Sequence, residues 1–147
     1  MTPLADIDQS IEIDAPQARV WQALTEAGLV EQWLGCIGFR PEPGALFYMQ
    51  PDPAKRAAGD ISGSTHCELE ALEPPRLMSF TWFMPGTPKT LVCIELVPAG
   101  ETRTVARLVH SGWERFDPED VRAVRDMLDG GWSSFVLPGL KRISEQG

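Results

Sequence analysis

LEPPRLMSFTWFMPGTPKTLVCIELVPAGETRTVARLVHSGW, residues Leu72 to Trp113, decides the fold class. Its apolar residues alternate. Met78, Phe80, Trp82 and Met84 share one face against Ser79 and Thr81, and Val92, Ile94 and Leu96 repeat the pattern. Thr102 to Ser111 carries the last such run, with Thr104, Ala106, Leu108 and His110 in one register. A period of two marks strands with one buried face. Between the runs stand Glu73-Pro74-Pro75-Arg76, Pro85-Gly86-Thr87-Pro88 and Pro98-Ala99-Gly100-Glu101. Proline fixes φ and glycine reaches the left-handed region, so these are tight turns and the strands form antiparallel hairpins. No helix-length crossover intervenes after Gly38, which excludes a parallel sheet.

Upstream, Thr65, Cys67, Leu69 and Ala71 alternate with His66, Glu68 and Glu70, which predicts a strand with one wet face. Pro51 to Gly63 is small, polar and Gly/Pro-containing and reads as a mobile surface loop. Phe39 to Gln50 reads as strand, turn, strand, with Tyr48 inward and Phe47 and Met49 outward. At the start, Ile7, Gln9, Ile11 and Ile13 share a face of a first strand. Pro16 to Leu24 follows as a short helix. A second runs from Glu26 to Trp33, with Thr25 as its N-cap and Gly35 ending it.

Downstream, Val121, Val124, Leu128, Trp132, Phe135, Leu140 and Ile143 recur at helical spacing from Pro118 to about Ser144. Asp117-Pro118-Glu119-Asp120 is a helix start: a cap, a proline and acids in the first turn. Two features resist. Gly130-Gly131 costs about 2 kcal/mol of helix propensity relative to two alanines. Pro138 cannot donate to the carbonyl of Ser134 and predicts a kink. The fold class is therefore α+β: a curved antiparallel sheet of six to seven strands against a long C-terminal helix. All 147 residues form one domain on this reading.

The bulk composition narrows the function. The chain is 43% apolar and 23% charged, as globular proteins are. Twenty-one acidic against 13 basic residues give a net charge of −8. Lys55-Arg56 is the densest basic cluster, so a nucleic-acid partner is not expected. No apolar run is long enough for a membrane span, and no secretory leader is expected. Cys36, Cys67 and Cys93 form no CxxC pair and leave an odd thiol, which fits a reducing cytoplasm. His66 and His110 are too few for a zinc site, and no metal is expected. No phosphate-binding glycine loop and no Ser/His/Asp set is legible, so neither a cofactor nor a catalytic residue is assigned.

Four stretches together carry a resemblance. They are IEIDAPQARVWQALTEAGLVEQWL (Ile11 to Leu34), LEPPRLMSFTW (Leu72 to Trp82), TRTVARLVHSGW (Thr102 to Trp113) and GGWSSFVLPGLKRI (Gly130 to Ile143). In this order they resemble the START-like, or SRPBCC, superfamily. Within it they are similar to the bacterial branch of activator of heat-shock protein 90 ATPase homologue domains. The chain departs from that pattern at Pro43-Gly44-Ala45-Leu46, at Ala106 and at Pro138. The resemblance implies a helix-grip fold and a cavity between sheet and helix.

Such a cavity would be apolar with a few orienting polar groups. The inward registers supply Tyr48, Cys67, Leu69, Phe80 and Trp82, then Ile94 and Leu108. Trp33 joins from the second short helix, and Trp132 and Phe135 from the long one. His110 shares the inward register and is the candidate polar handle, with one ring nitrogen facing the cavity and a pKa below 6.5. Its bland counterpart is a buried neutral histidine satisfied by the protein. The function expected is non-covalent binding of a small hydrophobic molecule. A cyclase or hydrolase on the same scaffold is the enzymatic alternative, though no acidic partner for His110 is visible. A co-chaperone-like interaction domain is the other. A homodimer is left open.

Overall fold

The structure is a computed structural model that describes residues 4–146. Seven antiparallel strands form one curled sheet in the order β1-β7-β6-β5-β4-β3-β2. They are β1 (Ile7–Ile13), β2 (Cys36–Ile37), β3 (Leu46–Met49), β4 (Thr65–Glu73), β5 (Leu77–Trp82), β6 (Thr90–Pro98) and β7 (Thr104–Ser111). The helices α1 (Gln17–Thr25) and α2 (Ala27–Leu34) follow β1, and α3 (Pro53–Ala58) follows β3. The chain closes with α4 (Pro118–Gly131), a π-turn at Trp132–Val136 and α5 (Leu137–Glu145). No helix among the described residues is long and apolar enough to cross a membrane.

The alternation works as expected through β6 and β7, while in β5 Ser79 and Thr81 on the opposite face are buried as well and Met84 beyond it is exposed. Met78 faces Ile94, Ile94 faces Leu108, and all three are buried. β1 extends this sheet by pairing Ile7 with His110 and Ile13 with Thr104. β4 departs from strict alternation. Leu69 pairs with Phe80, but a bulge follows and Leu72, not Ala71, pairs with Met78. The bulge sits where β4 leaves its other neighbour: Gly44 donates to the Leu69 carbonyl and Leu69 donates to that of Ala45. The extra residue bends the strand and helps curl the sheet.

Tyr48 does not point inward. Phe47 is fully buried and meets Phe39 and Phe80 edge-on at 5.2 and 5.3 Å. Tyr48 is half-buried on the other face, edge-on to His66 at 5.0 Å. β3 has four residues, all apolar or aromatic, so neither register is marked by polarity. Pairing with β4 decides it, since Phe47 lies opposite buried Cys67. Thr25 is no N-cap: its hydroxyl donates to the Trp21 carbonyl and it ends α1. Gly35, in the left-handed region at φ 69°, ends α2 as expected.

The stretch read as a loop contains α3. Asp52 caps it, accepting from the amides of Ala54 and Lys55 at 2.9 and 3.4 Å, and Pro53 occupies the first helical position. Six residues are too few to display a helical period.

The C-terminal helix is divided, not merely kinked. Leu137 donates to the Trp132 carbonyl, five residues back. Pro138 has no amide to offer the next carbonyl, and the ladder widens by one residue just before it. This corrects the placement of Phe135. The wider turn advances less per residue, so Phe135 rotates off the face that Trp132 buries. Trp132 is 1% exposed and Phe135 78%.

Candidate ligand-binding cleft

His110 is the buried polar centre of the concave face. Thr90 approaches from the start of β6, and its hydroxyl donates to the Trp82 carbonyl at 2.7 Å. That commits the hydroxyl proton, so the 2.7 Å contact between Thr90 Oγ1 and His110 Nε2 has the imidazole donating. Nδ1 accepts from the indole of Trp132 at 3.2 Å. Trp113 donates to the His110 carbonyl at 3.0 Å. His110 is thus the neutral Nε2–H tautomer with both nitrogens engaged. Burial among three indoles pushes its pKa down to about 3, and the nearby Arg125 guanidinium pushes in the same direction. The expected downward direction agrees with the structure, but no ring nitrogen faces a cavity.

The remaining candidates fall into three groups. Cys67, Leu69, Phe80, Ile94 and Leu108 pack side by side in the core, each at most 1% exposed. Trp33 lies in the helical layer, where its indole donates to the Ala23 carbonyl at 2.7 Å and its backbone rests on Gly139. Tyr48 and Phe135 face away from the interior. Trp82 lines open clefts beside the C-terminal helix.

Trp82 stands between two clefts of about 260 Å³ each. The first lies between the sheet and α4, with Met49, Thr65 and Trp82 on one side and Met127 and Leu128 on the other. The second runs under the start of α4, with Trp113, Val121 and Val124. Both are mainly apolar. The Trp82 indole N–H is buried and has no hydrogen-bond partner among the described residues. An orphan donor of this kind costs about 1–3 kcal/mol.

Arg56 forms the polar edge of the first cleft. Its Nη1 donates to the Gln50 carbonyl at 2.6 Å. Gln50 is itself buried, and its amide donates to the Asp60 and Ser62 carbonyls at 3.0 Å each. Gly35 makes room: a Cβ there would come within 3.3 Å of Arg56 Nη1. Sequence reasoning missed Arg56 because α3 gave no periodic signal, and missed Met127 because it lies off the buried stripe of α4. Met127 is 66% exposed.

Thiol and metal chemistry find little support. Burial and neighbouring Glu31 push the Cys36 thiol up to about 12, and burial raises Cys67 and Cys93. Among the described residues, no group of three or more His, Cys, Asp or Glu side chains is placed to hold a metal ion.

The curled sheet with its C-terminal helix is a fold shared with solved structures. The family described as activator of Hsp90 ATPase homolog 1-like protein matches residues 14–145. The chain belongs to this family. A Mesorhizobium loti protein of known crystal structure is 26% identical, with a TM-score of 0.77 over 97% of this chain and 98% of its own. A Bacillus halodurans protein solved in solution is 27% identical, with a TM-score of 0.72 over 98% and 99% of the two chains. An HSP90 activator from Plasmodium falciparum is 17% identical, with a TM-score of 0.73 over 94% of each chain, a likeness of fold alone. None of the curated proteins matches the sequence.

Proposed function

We propose that the protein binds a small apolar molecule non-covalently in the rim cleft between the sheet and α4. The observation that carries this reading is Trp82. Its ring walls two apolar clefts and its buried N–H lacks a partner among the described residues. Each cleft falls just below the roughly 300–1,000 Å³ of common ligand sites. A modest swing of Trp82 would join them and bring them into that range. It would also offer the orphan donor to an acceptor on the ligand. Family membership supports a ligand-binding or an Hsp90-activator-like role, and the apolar clefts favour the first.

The test uses a neutral environment-sensitive dye such as Nile red. Saturable binding with one site per chain is expected. Met127→Glu places a carboxylate on the cleft rim at an exposed position and should weaken the dye about tenfold, one apolar contact's worth. Binding that never saturates, or that ignores both Met127→Glu and Val124→Glu, would refute the proposal. The second reading, protein interaction, rests on exposed Phe135. Phe135→Ser would then weaken a protein partner and leave the dye untouched.

A further inference from the structure

The first cleft is apolar along its length and cationic at one end. Met49, Trp82, Met127 and Leu128 form its walls, and Arg56 closes it beside Gly35 and Gln50. A guanidinium carries five N–H donors in a planar fork. Here the protein uses Nη1 alone, for the Gln50 carbonyl, and Arg56 makes no ion pair among the described residues. Glu31 borders the adjoining cleft with Arg56 but forms no salt bridge with it. The guanidinium is also placed with care. Buried Gln50 holds it, Asp52 caps the helix that carries it, and a glycine leaves it space. A half-buried guanidinium with unused donors beside an apolar wall fits an anion attached to a hydrocarbon.

Resting on the binding reading above, we propose that the cleft takes a monocarboxylic acid with an unbranched or aromatic apolar body. The carboxylate sits on the unused side of the Arg56 fork, and the body lies along Met49, Trp82 and Met127. The fork matches a carboxylate in plane and spacing, which a lysine would not. Size follows from the cleft. At about 30 Å³ per liquid water, 260 Å³ accommodates roughly nine non-hydrogen atoms, with more allowed where the end is open. Octanoate, with about ten, is therefore the probe, and 1-octanol is its uncharged counterpart.

The experiment is titration of the full chain with each probe by calorimetry at pH 7 and low salt. Octanoate is expected to bind about tenfold tighter than 1-octanol, a charge-assisted contact discounted for partial exposure. The preference should shrink as salt is raised. In Arg56→Gln the two affinities should converge. Arg56→Lys keeps the charge without the fork, and should retain a smaller preference. It also provides the comparison if Arg56→Gln proves unstable. Equal affinities in the native protein would overturn the acid assignment and leave apolar binding standing. A preference that survives intact in Arg56→Gln would overturn the role of Arg56. Failure of both probes and of Nile red would overturn the binding reading itself.

Discussion

Acid should destabilise this protein through His110 at pH values above those where Asp8, Asp60 and Glu145 lose their stabilising contacts. In the folded chain the imidazole is neutral, donates to Thr90 and accepts from Trp132, with a pKa of about 3 against 6.5 for the free side chain. The unfolded chain takes up a proton as the pH falls through 6.5, and the folded chain does not until near 3. Between those values the unfolded state binds more protons, so stability rises with pH. His110 therefore places no burden on the fold above about pH 6.5, and stability drains away as the pH falls toward 3. The slope approaches about 1.4 kcal/mol per pH unit below 6.5, which amounts to about 2 kcal/mol between pH 6.5 and 4.5. That is a large share of a typical stability of roughly 5–15 kcal/mol. The carboxylates with lowered pKa values, Asp8, Asp60 and Glu145, act elsewhere. Their stabilisation is present above 3.8 to 4.5 and is lost below it. The assay is urea unfolding at pH 6.5, 5.5 and 4.5 on the native chain and on His110→Gln. Glutamine does not titrate, yet its amide can donate to Thr90 and accept from Trp132. The native protein should lose about 2 kcal/mol over this range and the variant much less. Parallel losses would refute the assignment of a buried neutral imidazole.

Three further outcomes follow from the packing. Trp132→Ala should cost about 3–5 kcal/mol in denaturant unfolding, because it removes a buried indole and strands His110 Nδ1. Gly130→Ala should raise stability by about 0.5–1 kcal/mol in thermal unfolding, since no atom lies within 4 Å of the added Cβ and α4 gains propensity there. Gly112→Ala should lower it by about 1–3 kcal/mol, because φ is +100° and the new Cβ would press to 3.2 Å from Thr90 Cα.

The parts of the fold legible in the sequence are those where polarity and period agree. β5, β6 and β7 alternate cleanly between proline-glycine turns, and their registers follow. Where polarity is uniform the reading fails. β3, Leu46-Phe47-Tyr48-Met49, has no wet side to mark, and its register waits on Cys67 across the ladder. Phe135 shows a second limit. Its spacing from Trp132 fits an α-helix, but the missing amide of Pro138 makes the backbone locally wider, and a shift of one residue turns an inward ring outward. α3 shows a third. Its signals are Asp52, Pro53 and Gly59, a cap, a start and a stop, and they were readable one by one although the period was not. The rim residue Arg56 was lost with α3, and Met127 because it lies off the buried stripe of α4.

The enzymatic alternative on this scaffold turns on what His110 can offer. A general base needs a lone pair aimed at substrate, and a general acid needs a proton that can leave. Here the Nε2 proton is given to Thr90, whose own proton is committed to the Trp82 carbonyl, and the Nδ1 lone pair is taken by Trp132. Turning the ring over about Cβ–Cγ would place Cδ2–H against the Trp132 donor and Cε1–H near the Thr90 hydroxyl, so neither partner would meet a nitrogen. Two buried hydrogen bonds would be lost together, at about 1–3 kcal/mol for each group left unpaired. The ring is therefore fixed by a chain that runs from β5 through β6 and β7 to the π-turn. Its consequence is mechanical. His110 ties the backbone of Trp82 to the indole of Trp132, the one residue on the cleft wall and the other where the C-terminal helix changes register. The tie holds the Trp82 backbone and leaves its ring free to turn, so His110→Gln or Trp132→Phe should each weaken dye binding by loosening the cleft wall, without either side chain touching the dye.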